Sequence, residues 1–241
     1  MTIMTKRAAM VGALMAVAAP GVAAAQALSC AIPTELPRPH PDLPTASQPA
    51  RRLPIGSYTL AISWSPEYCR TSGDRPNARF QCGGSNRFGF VLHGLWPDGI
   101  GKDWPQYCRA TPILSRQVIR RHVCTTPSPQ LLQHEWSKHG TCMAGYTPER
   151  YFSKSNAMFH ALRFPDMARL AQTPLTAGRL AAAIAAANPG LRADMMRVTG
   201  TKGGALDEVW LCTDKSFRYA RCPAHQGGLD PAARITITPL R

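Results

Sequence analysis

Two short stretches of this chain carry side chains able to do acid–base chemistry on a phosphate. One is Phe90-Val91-Leu92-His93-Gly94-Leu95-Trp96-Pro97-Asp98, and the other is His134-Glu135-Trp136-Ser137-Lys138-His139-Gly140. Together they supply three imidazoles, an ammonium and two carboxylates, Asp98 and Glu135. An unperturbed histidine titrates near pH ~6.5, so two of them can take and return a proton within one turnover. A lysine offsets the negative charge that builds on a phosphate under attack. That set suits phosphodiester cleavage without a metal.

The spacing of the second stretch predicts a helix ending at Gly140, with His134 and Lys138, and likewise Glu135 and His139, as i,i+4 neighbours. His134 and Lys138 are then expected to face one phosphate. Glu135 is expected to orient His139 and raise its pKa through opposite charge. A zinc hydrolase would need His at 138 to complete H-E-x-x-H, and the residue is Lys138, which repels a cation. His139 lies about 140° around the helix from His134, so the two are not expected to share a metal.

The first stretch reads as a strand with Phe88, Phe90 and Leu92 on one face and Val91 and His93 on the other. Gly94 is expected to open space for a ligand. Trp96 offers a stacking surface and Asp98 an acceptor for a base amino group.

Other elements must hold these groups. Tyr58 to Trp64 predicts a strand, and Gly73 to Asn86 a loop. A Gly/Pro-rich loop is expected from Pro97 to Thr111, then a helix from Ile113 to His122. Thr147-Pro148-Glu149 starts a helix with Tyr151, Phe152, Met158, Phe159 and Leu162 as its buried stripe. Thr176 caps an alanine-rich helix that stops near Asn188-Pro189-Gly190. Further strands are expected at Met195–Thr199, Glu208–Cys212, Phe217–Ala220 and Ile235–Thr238. Helices and strands mix without regular βα alternation, so the fold class is α+β. His40, His122, His160 and His225 have no motif around them and are expected to be structural or surface residues.

The first 27 residues read as an export signal: Lys6 and Arg7 precede the apolar run Ala8 to Val22, and Ala25-Gln26-Ala27 offers a cleavage site. That run is shorter than the roughly 20 residues of a membrane span. Ala27-Leu28-Ser29-Cys30 also resembles a degenerate lipoprotein box. Residues 28–52, rich in proline, form an extended leader, and 53–241 the working domain. All eight cysteines fall after the signal, and in an exported protein they read as disulfides rather than a metal site, since none has C-x-x-C spacing. The formal charge is +14, or +12 without Lys6 and Arg7. Such a field attracts polyanions. A basic module that only holds polyanions is the rival to an enzyme, and turnover separates them.

FVLHGLWPD at 90–98 and HEWSKHGTC at 134–142 resemble the two active-site segments of the ribonuclease T2 family of secreted endoribonucleases. Leu60 to Cys69 resembles that family's opening strand and Glu208 to Cys212 a late one, so the resemblance runs from about Leu53 onward. It implies an antiparallel sheet packed with helices in a disulfide-bonded, monomeric, secreted or periplasmic protein. It also implies metal-independent cleavage of single-stranded RNA through a 2′,3′-cyclic phosphate, with low base specificity and no cofactor. By resemblance, His139 is the general base and His93 the general acid. His134 binds phosphate, Glu135 and Lys138 stabilise the transition state, and Trp96, Asp98 and Trp104 contact a base. Cys69–Cys82, Cys108–Cys142 and Cys212–Cys222 are the implied bridges, leaving Cys30 and Cys124. The family's frequent Phe-Trp pair ahead of the second motif is replaced here by Leu131 and Leu132-Gln133.

Overall fold

The computed structural model of the chain describes residues 27–240. The expected export signal, but for Ala27, lies outside the described residues. In chain order the elements are β1 (Ala27–Ser29), β2 (Ile55–Trp64), α1 (Ser65–Ser72), α2 (Arg79–Cys82), β3 (Arg87–Phe88) and β4 (Phe90–Gly99). They continue with α3 (Arg116–His122), α4 (Pro129–Lys138), α5 (Pro148–His160), α6 (Met167–Ala171), β5 (Leu175–Thr176) and α7 (Ala177–Ala187). Last come β6 (Met196–Gly200), β7 (Leu206–Thr213) and β8 (Arg234–Ile235).

Four of the strands form an antiparallel sheet in the order β4-β2-β7-β6. The α+β expectation holds. Strand alternation sorts the side chains: Leu60, Ile62 and Trp64 of β2, Phe90, Leu92 and Leu95 of β4, and Val209 and Leu211 of β7 are all buried in the core. Leu132 and Trp136 of α4, Tyr151, Phe152 and Phe159 of α5, and Leu180 and Ile184 of α7 join the same core. The other sheet face carries Thr59, Ser63, Glu208 and Trp210.

One irregularity puts the first motif on that second face. Ala61 pairs with Gly94 and Ile62 with Leu92, so His93 has no opposing residue. This β-bulge shifts the alternation by one. Leu92 and Leu95 can therefore both enter the core, while His93, Trp96 and Asp98 share the opposite side. In a regular strand the odd spacing of His93 and Trp96 would separate them.

The strand also continues to Gly99, where loop was expected from Pro97. β4 is the edge of the sheet, where a residue lacking an N–H is tolerated. Gly73–Asn86 is likewise not all loop. It contains α2, and the Cys69–Cys82 bridge ties α2 to α1. Phe217–Ala220 is not a strand, because Asp214 accepts hydrogen bonds from the backbone of Ser216 and Arg218 and Phe217 turns back at φ 63°. The last expected strand shortens to Arg234–Ile235, paired with β5.

Helix starts follow the sequence closely. Ser128, Thr147 and Thr176 each accept a hydrogen bond from the backbone N–H three residues on. α3 begins three residues later than expected because Ser115 is its cap. The described residues hold the three implied disulfides and a fourth, Cys30–Cys124. No helix among them is long and apolar enough to cross a membrane.

Candidate active site

α4 lies beside the edge strand, and this packing brings the two motifs together. Trp136 and Leu132 drive one side of α4 into the core, which aims Glu135 at β4. The Glu135 carboxylate is buried and accepts a hydrogen bond from Trp96 Nε1–H at 2.9 Å, while its other oxygen stands 3.4 Å from His93 Nε2. Gly94 makes this possible. A Cβ there would fall 1.7 Å from Glu135 Oε2, so the space expected for a ligand is filled by the carboxylate itself. Gly94→Ala should therefore expel Glu135 and cut kcat/KM on the order of 10²-fold, checked by kinetics beside a thermal melt.

His93 sits between two carboxylates. Its Nδ1 meets Glu208 Oε1 at 2.5 Å, and Glu208 is fixed in turn by Ser63 Oγ at 2.6 Å and Trp210 Nε1–H at 2.8 Å. Burial works against a charged ring, but the hydrogen bond and charge of Glu208, with Glu135 behind them, raise its pKa to about 9. Glu208 was not singled out in the sequence. It is directly opposite Ser63 across the ladder, on the face that holds His93, a register that only the sheet sets.

His139 has the opposite surroundings. α4 ends at Lys138, not Gly140, and His139 is its C-cap with φ −108°. Gly140 is needed for closeness rather than as a terminator: a Cβ there would meet the Trp136 ring at 2.3 Å. The buried His139 ring stacks on Trp96 at 5.6 Å between centroids, and its Nδ1 has no hydrogen-bond partner among the described residues. Burial first, then the charges of Lys138, His134 and His93, push its pKa well below 6.5. The expected upward shift by Glu135 does not occur, because that carboxylate is turned toward Trp96 and His93.

Trp96 thus separates the two imidazoles, edge-on to His93 at 5.2 Å and stacked on His139. Burial also raises the carboxyl of Glu135 toward its neutral form and lowers the ammonium of Lys138. His134 stands 6.3 Å from His139, ring centre to ring centre. Ligand atoms of His134, Glu135 and His139 lie within 4.8 Å of one another, so the angular argument that kept the two histidines apart fails once the helix stops before His139.

Two cavities flank this centre. One, of about 320 Å³, is lined by Trp96, Asp98, Trp104, Lys138, His139 and Trp210. The Asp98 carboxylate accepts from Thr59 Oγ1 at 2.8 Å and Ser57 Oγ at 3.3 Å, both on Oδ2, and burial raises its pKa. Trp104 is exposed, with the Arg51 guanidinium 4.6 Å over its ring. His225 and Gln226 also line this cavity. They carry no motif, and only the Cys212–Cys222 bridge shows why the chain returns there. His122, by contrast, is a buried structural histidine held by Asn156 at 2.9 Å, and burial lowers its pKa to about 4. The second cavity, of about 550 Å³, is lined by His93, His134, Leu131, Tyr68, Asp42 and Glu208 among others.

Comparison with known proteins agrees with this arrangement. Residues 55–222 match the Ribonuclease T2 family. A "Probable ribonuclease" of Haemophilus influenzae is 31% identical over 182 residues, covering 71% of this chain and 62% of the relative. A "Ribonuclease" of Aeromonas hydrophila is 42% identical over 88 residues, 35% of this chain and 36% of the relative. The chain thus spans less than two thirds of either relative's length. Among solved structures, an "RNase-related protein from Calystegia sepium" superposes with TM-score 0.60 at 20% identity, covering 77% of this chain and 98% of that one. RNase NT in complex with 5′-AMP superposes with TM-score 0.56 at 21% identity, covering 78% and 100%. These two show the shared fold. The matched segment runs from the first central strand through both histidine motifs to the last disulfide, and the chain belongs to the ribonuclease T2 family.

Proposed function

We propose that this protein is an exported endoribonuclease that cleaves single-stranded RNA by metal-independent transphosphorylation. The observation that carries the reading is the pair of imidazoles divided by Trp96, one favouring the charged ring and one the neutral ring. Neighbouring titratable groups pushed apart in this way are suited to opposite proton-transfer roles.

His139, neutral, takes the proton of the ribose 2′-OH. The freed oxygen attacks the adjacent phosphorus, and His93, as imidazolium, gives its proton to the departing 5′-oxygen. The product is a 2′,3′-cyclic phosphate. His134 holds the phosphate in the ground state. Lys138 balances the charge that grows on the non-bridging oxygens, and Glu135 supports the same transition state by holding Trp96 and facing His93. The nucleoside bearing the 2′-OH would lie in the cavity of Trp96, Asp98 and Trp104, beside His139, and the leaving nucleoside in the cavity beside His93. The unmatched C-terminal pair His225 and Gln226 would add donors and acceptors around the first base. Four disulfides and the basic charge fit an exported protein that meets a polyanion, and the signal-like segment supports the same destination.

Digestion of a dinucleotide series in EDTA tests the reading. Undiminished activity and a cyclic-phosphate product are expected. The clustered ligand atoms of His134, Glu135 and His139 favour a second reading, a metal-dependent hydrolase, and loss of activity in EDTA would select it. Equal cleavage of DNA would remove the 2′-OH as attacker and overturn the mechanism. His134→Ala should raise KM about tenfold or more with a smaller change in kcat; an effect confined to kcat would contradict a phosphate-holding role.

A further inference from the structure

The matched family segment begins at residue 55, yet the proline-rich leader before it reaches the catalytic centre. The leader is fastened along its length. Cys30 is bonded to Cys124, and Arg116 holds Glu35 while Arg120 donates to the carbonyl of Pro33. The backbone of His40 pairs with the Gln130 side chain of α4, its N–H donating at 2.8 Å, and Pro39 beside it is buried. Arg51 pairs through its backbone with Gln106. Six prolines between residues 33 and 49 limit the freedom this path must give up on ordering.

Between these anchors the leader delivers one charged side chain to the site. Asp42 Oδ2 stands 3.0 Å from His134 Nδ1, and the aspartate lines the cavity that also holds His93. That oxygen is buried and has no hydrogen-bond donor aimed at it among the described residues. Leaving a buried carboxylate oxygen without a donor is costly, and the imidazole N–H of His134 is the group placed to satisfy it. Tyr107, which takes the left-handed backbone conformation at φ 49°, sets its ring 6.5 Å from His134. Burial and then the Asp42 carboxylate raise its phenol pKa, so its hydroxyl stays protonated beside the same group.

We infer that Asp42, carried in by the leader, is a positioning residue for the reaction: it holds His134 at Nδ1 and leaves Nε2 to donate to the substrate phosphate. The inference rests on the assignment of His134 to phosphate. A carboxylate on one nitrogen fixes an imidazole's orientation and decides which nitrogen serves the ligand. For both nitrogens to donate the ring must carry two protons, and Asp42 balances that charge while the ring contacts a second anion.

The test is Asp42→Asn, which keeps shape and removes charge, in the full oxidised protein. Titration with inorganic phosphate reads the site without turnover, so it stands apart from whether RNA is cut. The expected result is phosphate bound about five- to tenfold more weakly, with KM for a dinucleotide raised in parallel and kcat within about twofold. In a His134→Ala background the same change should have no further effect on phosphate, since coupled groups are non-additive. Glu35→Gln loosens the same leader at a distance and should leave phosphate affinity unchanged. If Asp42→Asn binds phosphate more tightly, the carboxylate is a competitor for the phosphate seat and the inference is wrong. It is equally wrong if the loss persists in the His134→Ala background. A loss shared by Glu35→Gln would reduce Asp42 to a structural contact and also overturn it. Failure to cut RNA with normal phosphate behaviour would instead count against the ribonuclease reading.

Discussion

Replacing His93 or His139 with alanine is expected to lower kcat/KM on the order of 10²-fold or more each, with the fold intact by circular dichroism. The two losses should not multiply in the double variant, because in the proposed mechanism acid and base act in one proton-transfer sequence. The pH profile of the unaltered protein should carry their signatures. The proposed base role requires a neutral His139, and its pKa lies well below 6.5, so the acid limb belongs below that pH. The proposed acid role requires a charged His93, and its proton is lost as pH rises through about 9, which sets the basic limb. A profile already falling at pH 7 would contradict the acid role of His93, and near-unaltered turnover in either variant would remove that histidine from the mechanism.

The second large effect is expected at Glu208. Its carboxylate meets His93 Nδ1 at 2.5 Å and is the main source of the ring's raised pKa once burial is overcome. Glu208→Gln removes the charge and keeps one acceptor oxygen, enough for the bond from Ser63 but not also for that from Trp210. The basic limb of kcat/KM should then move toward acid pH by about two units or more. At pH 8, where the unaltered ring is still charged, activity should fall about ten- to a hundredfold; at pH 6 the deficit should be much smaller. A uniform loss across pH would mean that Glu208 only supports the strand, and no loss would mean that Glu135 alone sustains His93. The linked effect on stability has the same sign. A folded-state pKa above the unfolded value stabilises the fold at low pH, and that contribution fades as pH rises through about 9.

Much of the site was legible because its residues are close in sequence and chemically unusual. Three imidazoles, a lysine and a glutamate packed into two short motifs leave few chemistries open. The helix starts were legible for a similar reason: Thr147 and Thr176 cap through bonds only three residues long. The strands of the core announced themselves by alternation.

What stayed hidden was set by contacts between distant segments. The His93 bulge exists only in the pairing of β4 with β2, and it decides that the histidine and Trp96 share a face. The space beside Gly94 was visible as a missing side chain, but its occupant, Glu135, comes from a helix 41 positions away. Glu208 and Asp42 stand in no motif and act only because the sheet and the leader bring them to His93 and His134. The titration of His139 stayed hidden for the same reason: helical spacing places Glu135 near it, whereas Trp96 and His93 claim the carboxylate.

The amino-acid sequence by itself determined which groups are available, because side-chain chemistry and local capping are properties of a few adjacent residues. Which imidazole is charged and which neutral was decided only by tertiary structure. Burial and the direction of a carboxylate are set by neighbours far along the chain, and those two quantities govern a pKa.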